Sequence, residues 1–192
     1  MRIIAGSKRG LRLLSPEGRV SRPIIDRVKE SLFSVLYSYG LPADAMVADL
    51  FSGVGSMGLE ALSRGAEFVT FIEQAPQIET VLKRNIEKAG FVGQSKVIRA
   101  NAFRVGAPVD RDKRKYELVF VDPPYAKTQN VGQDSDLAKL LDILPDQVAD
   151  SGLVIVRTEK GIELLDNYGI FEVIEKRSWG TMNIAILKKR YE

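Results

Sequence analysis

The chain has 192 residues, 45% of them hydrophobic and 28% charged, with a formal net charge of +3. That balance suits one compact domain with a real core. No segment approaches the roughly 20 apolar residues of a bilayer-spanning helix, and the N-terminus has no apolar signal core, so a soluble, cytoplasmic protein is expected. Cysteine and histidine are both absent, which excludes disulfides, thiolate nucleophiles, Cys/His zinc sites and any triad with an imidazole base. The acids show no tight ligand spacing, and no metal site is expected.

The charge is unevenly placed. Residues 1–30 carry eight basic side chains against three acids, a net of +5, and the remaining residues sum to −2. A basic arm on a near-neutral body fits a polyanion partner. Two short apolar-and-basic runs, 2–5 and 11–14, flank the glycine-bounded turn Gly6-Ser7-Lys8-Arg9-Gly10 and predict a small β-hairpin. Ile24, Ile25, Val28, Leu32, Phe33, Val35 and Leu36 recur at helical spacing, with Arg22, Asp26, Arg27 and Lys29 on or near the polar side, until Gly40 and Pro42 stop the helix.

From Ala45 onward strands and helices alternate. Val47–Phe51, Glu67–Glu73, Lys96–Arg99, Tyr116–Val121 and Leu153–Arg157 read as buried strands. Helices are predicted from Leu59 to Arg64, from Pro76 to Ala89 and from Asp136 to Ala149, the last kinked or split by Pro145. Phe171–Arg177 and Met182–Leu187 are two more strands. The turn between them is too short for a parallel crossover, so they pair antiparallel. The fold class is α/β, a mainly parallel sheet with right-handed crossovers. The polar stretch Ala126–Ser135 has no pattern and reads either as a lid or as a connection.

Two motifs carry chemistry. Gly53-x-Gly55-x-x-Gly58 lies between a strand and a helix, and Glu73 ends the next strand 20 positions after Gly53, where a carboxylate can accept both ribose hydroxyls of an adenosine. Asp49 stands four residues before Gly53. Against a pyrophosphate it would be repelled by about 4 kcal/mol for unit charges 4 Å apart at an effective dielectric of 20. The ammonium and sulfonium of S-adenosylmethionine would be attracted instead. Asn101 is placed to hydrogen-bond an adenine edge, or equally to form a turn, and Phe103 to pack on the ring.

The second motif is Asp122-Pro123-Pro124-Tyr125. Neither proline can donate to a sheet ladder, so the preceding strand must stop there. Its carboxyl end then displays a carboxylate, free carbonyls and a flat ring, which together suit the amino group of a nucleobase.

The stretch Asp49 to Ala66 resembles the first motif of the RsmD family, bacterial 16S ribosomal RNA guanine-N2 methyltransferases. Ser21-Arg22-Pro23-Ile24-Ile25-Asp26-Arg27-Val28-Lys29-Glu30-Ser31-Leu32-Phe33 resembles that family's N-terminal signature, and Met1–Ser7 and Asp122–Tyr125 fit as well. The chain departs from the family at Ile24, commonly threonine, and at Asn101, commonly aspartate. The resemblance implies a class I methyltransferase fold, a seven-stranded Rossmann-like sheet with an antiparallel last strand. It also implies methyl transfer from S-adenosylmethionine to the N2 amine of a guanine in small-subunit RNA, free or within a 30S assembly intermediate, by a monomer. Residues 1–20 become a basic hairpin extension and 21–192 the methyltransferase domain. Asp122, Pro123, Pro124 and Tyr125 become the target-base site. Asp49, Phe51, Gly53, Gly55, Glu73, Asn101 and Phe103 become the cofactor site, and Lys8, Arg9, Arg12, Arg22 and Arg27 the phosphate-gripping cations. Rival readings are an adenine-N6 methyltransferase on DNA or RNA, a nicotinamide-dependent reductase, and a non-catalytic RNA-binding protein.

Overall fold

A computed structural model describes residues 1–16, 26–110 and 114–190. Arg22 of the expected phosphate contacts, with Ile24 and Ile25 of the expected helix, lies outside the described residues. The N-terminal runs pair as a short hairpin. Arg2 and Arg12 form an antiparallel bridge, the Ile3 N–H donates to the Leu11 carbonyl, and that of Leu13 donates to Met1.

The elements follow in the expected order. Helix α1 (Asp26–Ser38) leads to β1 (Met46–Leu50), α2 (Ser56–Ser63), β2 (Phe68–Ile72), α3 (Pro76–Ala89) and β3 (Ser95–Ile98). Then come α4 (Ala102–Val105), β4 (Tyr116–Val121), α5 (Asp136–Ile143), β5 (Val148–Glu159), β6 (Asn167–Tyr168), β7 (Phe171–Trp179) and β8 (Met182–Lys189). One eight-stranded sheet has the order β3-β2-β1-β4-β5-β8-β7-β6. The strands from β3 to β5 are parallel, and β8 runs antiparallel between β5 and β7. The strand beyond the expected seven is β6, two residues added antiparallel at the β7 edge.

Alternate residues of the central strands face opposite layers, as the pleat requires. Val47, Leu118, Phe120 and Ile155 pack against α1, α2, α3 and the hairpin residues Ile3 and Leu13. Ala48, Leu50, Val119, Val121, Val154 and Val156 pack against α4 and α5. Each fully buried Val, Leu or Ile contributes about 1.5–3 kcal/mol, so the hairpin's two core residues bind it to the body. Trp179 is partly buried against the first of these clusters.

Two sequence expectations fail. The helix read from Asp136 to Ala149 breaks just before Pro145, as expected of that proline, but it does not resume, and α5 stops at Ile143. Pro145 falls in a 3-10 turn, and Val148 and Ala149 already belong to β5. Apolar periodicity cannot register what replaces the last turn, an irregularity in which Tyr116 pairs with Val148 but Leu118 with Leu153. Gly152 sits inside it, where a Cβ would come 2.8 Å from the Tyr116 carbonyl.

The second failure is Lys29, read as polar-side and found 1% exposed. Its Nζ lies 3.1 Å from Glu60 Oε2 and donates to the Arg2 carbonyl at 2.7 Å and to Ser56 Oγ at 3.3 Å. Glu60, itself fully buried, accepts the Ile4 and Ala5 N–H groups and the Arg64 Nε. One buried ionic joint therefore connects the hairpin, α1 and the start of α2. A buried charge is tolerable only when paired and hydrogen-bonded in this way.

Candidate active site

In this sheet the strand order reverses around β1, which lies between β2 and β4. Open α/β sheets bind ligands at such a switch point, beyond the carboxyl ends of the strands. A cleft of about 1090 Å³ opens there. It lies just above the roughly 300–1,000 Å³ range of small-molecule sites, with room for an adenosine compound and a second flat ligand. Asp49 and Phe51 from β1 and its end, Gly53, Glu73 after β2, Asp122 to Tyr125 after β4, and Arg157 and Glu159 on β5 all line it.

The β1–α2 turn is built as its glycines suggest. Gly53 and Gly55 have φ of +55 and +89, a region only glycine adopts without strain. Gly58 has a different reason: a Cβ there would come 2.3 Å from the Phe71 ring, so its absence lets α2 lie close on β2. Glu73 ties the turn to the end of β2. One carboxylate oxygen accepts the Gly53 N–H at 3.0 Å and the other the Ala75 N–H at 2.7 Å. Phe51 holds φ +61, unusual for a side chain of its size. Its ring packs on Phe103, centroids 4.7 Å apart.

Asp49 is 2% exposed and accepts the Gly58 N–H at 2.8 Å. Burial pushes its carboxyl up to about 7, the Gly58 bond pulls it back, and the charges of Asp122 and Glu73 add to the rise. Burial also raises Asp122, while Arg157 lowers it. The register explains that pairing. Val121 sits beside Val156, so the next residues, Asp122 and Arg157, emerge together. Arg157 Nε donates to Asp122 Oδ1 at 2.5 Å, and its guanidinium carbon is 5.9 Å from the Tyr125 ring centroid. From sequence Arg157 is expected only as the last residue of a strand and not as a site residue. The available signal was a polar outcrop, Arg157-Thr158-Glu159, where an apolar strand runs toward the ligand-binding edge.

Neither Asn101 nor Phe103 lines the cleft; Ala100 and Ala102 do. Asn101 caps α4 by accepting the Phe103 N–H at 3.0 Å, the turn-forming alternative, and Phe103 reaches the cleft only through Phe51. The stretch after Tyr125 is well anchored. Gln129 donates to the Tyr125 carbonyl and to Glu159, and Tyr168 donates to the Val131 carbonyl at 2.6 Å. Of the cations, Arg9, Arg12 and Arg27 are exposed, while Lys8 lies over the Phe91 ring. The two ends of the arm, Met1 and Pro16, line the cleft itself.

A cleft walled by four carboxylates, Asp49, Glu73, Asp122 and Glu159, and the Arg157 guanidinium suits a cationic adenosine compound better than a pyrophosphate. The fold, the glycine turn with its acid, and the Asp-Pro-Pro-Tyr corner define a class I methyltransferase that uses S-adenosylmethionine. The family described as "Conserved hypothetical protein 95" matches residues 1–188. YlbH of Bacillus subtilis is 30% identical over 99% of this chain and 100% of its own length. The Ribosomal RNA small subunit methyltransferase D of Escherichia coli K12 is 34% identical over 83% of this chain and 75% of its own. Among solved structures, yhhF from E. coli superposes with a TM-score of 0.80 at 29% identity, covering 100% of this chain and 99% of that one. The chain belongs to the RsmD family.

The raised Asp49 carboxyl has a measurable consequence. A cationic donor seated against Asp49 would favour its ionised form, so below about pH 7 binding there would first displace a proton. Calorimetric affinity for S-adenosylmethionine is expected to rise with pH from 5.5 to 7.5, by at most about tenfold per unit for one linked proton. Asp49→Asn flattens that slope. An equal slope in the variant assigns the linkage elsewhere.

Proposed function

We propose that this methyltransferase modifies the exocyclic N2 amine of a guanine in small-subunit ribosomal RNA. The observation that carries the reading is the adjacency of Asp122 and Tyr125 to the cleft beneath the glycine turn, in a chain whose relative at 34% identity bears the name of a small-subunit enzyme. Asp49, Phe51, Gly53 and Glu73 hold the donor, Glu73 accepting the ribose hydroxyls and Asp49 facing the cationic portion; Gly55, which does not line the cleft and whose missing Cβ would meet Leu82, serves by shaping the turn. Phe103 supports the adenine side through Phe51, and Asn101 shapes that wall as the cap of α4. Bound S-adenosylmethionine supplies a methyl group on a sulfonium, and the C–S electron pair stays with sulfur on transfer.

The guanine amine is a weak nucleophile because its lone pair is delocalised into the ring. Asp122 and the Pro123 carbonyl accept its two N–H groups, which favours a pyramidal nitrogen and stabilises the charge that grows on it. Pro124 fixes the corner, and Tyr125 stacks on the base for about 1–3 kcal/mol. The nitrogen lone pair forms the new bond to carbon, after which the N–H proton leaves to Asp122 or to water. Histidine is not required. The base must be unpaired or flipped to enter.

Residues 1–20 act as the RNA-gripping extension of a methyltransferase domain at 21–192, with Lys8, Arg9, Arg12, Arg22 and Arg27 on phosphates. The protein works in the cytoplasm as a monomer, on free RNA or a 30S assembly intermediate. Among the described residues no helix is long and apolar enough to cross a membrane.

Charge reversal at Lys8, Arg9 and Arg12 is expected to weaken RNA binding at least tenfold and to flatten its dependence on salt by about 0.7–0.9 in log–log slope per lost phosphate contact. Unchanged binding by filter or anisotropy assay would remove the hairpin from the interface. The reaction itself is tested by tritiated methyl transfer to unmodified small-subunit particles followed by nucleoside analysis. N2-methylguanosine is the expected product; N6-methyladenosine, or no transfer, would overturn the reading.

A further inference from the structure

We propose that Arg157 is a positioning residue that keeps Asp122 ionised and aimed at the target amine. The inference rests on the role given to Asp122 above and names a group that neither the family signature nor the motif contains. The geometry is specific. Arg157 is only 14% exposed and its Nε meets Asp122 Oδ1 at 2.5 Å, which leaves the second carboxylate oxygen for a substrate N–H. The same guanidinium lies 5.9 Å from the Tyr125 centroid, so one side chain borders both groups assigned to the base. Neighbouring strands β4 and β5 fix this arrangement through their Val121–Val156 register, not through a mobile loop.

Asp122 needs such a partner. Three carboxylates, Asp49 after β1, Glu73 after β2 and Asp122 after β4, share the cleft with Glu159 of β5 and the Tyr125 phenol. Among the described residues Arg157 is the cation that pairs with Asp122. Burial favours the protonated acid, and a protonated Asp122 would lose acceptor capacity at the oxygen that carries the hydrogen. The opposite charge and hydrogen bond of Arg157 work against that. Truncating Arg157 leaves a half-buried carboxylate without its counter-charge, which favours taking up a proton.

The test uses the full chain labelled with ¹³C at aspartate carboxyls, with the Asp122 signal identified by its loss in Asp122→Asn. In Arg157→Gln the Asp122 titration midpoint is expected to rise by about 1–3 pH units, the usual effect of an adjacent arginine. Arg157→Lys, which keeps the charge and serves if the glutamine variant folds poorly, is expected to stay nearer the parent. The acid limb of the kcat profile should move with the midpoint, leaving activity depressed at pH 6.5 and largely recovered at pH 9. In an Asp122→Asn background, removing Arg157 should cost nothing further. An unmoved Asp122 midpoint, or a loss of kcat equal at every pH, would overturn the proposal. The titration needs no turnover, so absence of methyl transfer in the parent protein would reject the functional reading while leaving this result interpretable.

Discussion

Asp122→Ala lowers kcat for methyl transfer by about 10²–10³-fold, the scale on which a single preorganised polar contact to developing charge is lost. Single-turnover transfer to unmodified small-subunit particles measures it. Donor affinity changes far less, because the donor's own contacts are assigned to the β1 and β2 ends of the cleft. Removing the Asp122 charge even relieves Asp49 of one repulsion, so S-adenosylmethionine binding extends to slightly lower pH. Asp122→Asn falls between parent and alanine, keeping one acceptor oxygen while losing the charge that supports a cationic nitrogen. A kcat within a few-fold of the parent in the alanine variant would take Asp122 out of the chemistry.

Lys29→Met destabilises the fold by about 3–5 kcal/mol, the cost of leaving one member of a buried ion pair alone. Glu60 would keep Arg64 and two backbone N–H groups but lose its most deeply buried counter-charge. For a chain of this size that corresponds to a fall of about 6–20 °C in the melting midpoint, followed by calorimetry. Adding Glu60→Gln does not repair it. Both Glu60 oxygens accept hydrogen bonds, and a glutamine nitrogen would confront a backbone N–H at Ile4 or Ala5. Because Lys29 also holds the Arg2 carbonyl and Ser56, the variant loosens the hairpin and the start of α2 together, and RNA affinity falls with stability. A loss below about 1 kcal/mol would mean that the joint is no stronger than a surface ion pair.

What the sequence discloses follows the range of the forces involved. Strand β4 and its end are legible because an apolar run, two prolines and an aromatic residue act within a few positions of one another. Helix α3 is legible at both ends, from Pro76 at its start and Gly90 just past its close, whose φ of +74 is the left-handed stop such helices use. The Gly53–Glu73 connection is also readable, since the spacing of a βαβ unit is nearly fixed. Local pattern fails where partners are distant. Lys29 precedes Leu32, Phe33 and Leu36 by three, four and seven positions and so shares their buried face of α1, but its charge reads as solvent-facing until Glu60, thirty-one positions on, pairs with it. Arg157 acquires meaning from β5 lying beside β4, which no window of sequence contains. Asn101 sits at the expected corner, but its carbonyl oxygen serves the backbone of α4. The end of α5 is misread because Leu144 continues the apolar stripe into a 3-10 turn that leads to β5.

The protein crystallised with S-adenosylhomocysteine is expected to show the ribose hydroxyls on Glu73, the amino-acid portion beside Asp49, and the sulfur directed across the cleft toward Asp122 and the Tyr125 ring. A sulfur turned away from that corner, with Asp122 out of reach of any nucleotide placed before it, would remove Asp122 and Tyr125 from the site of transfer.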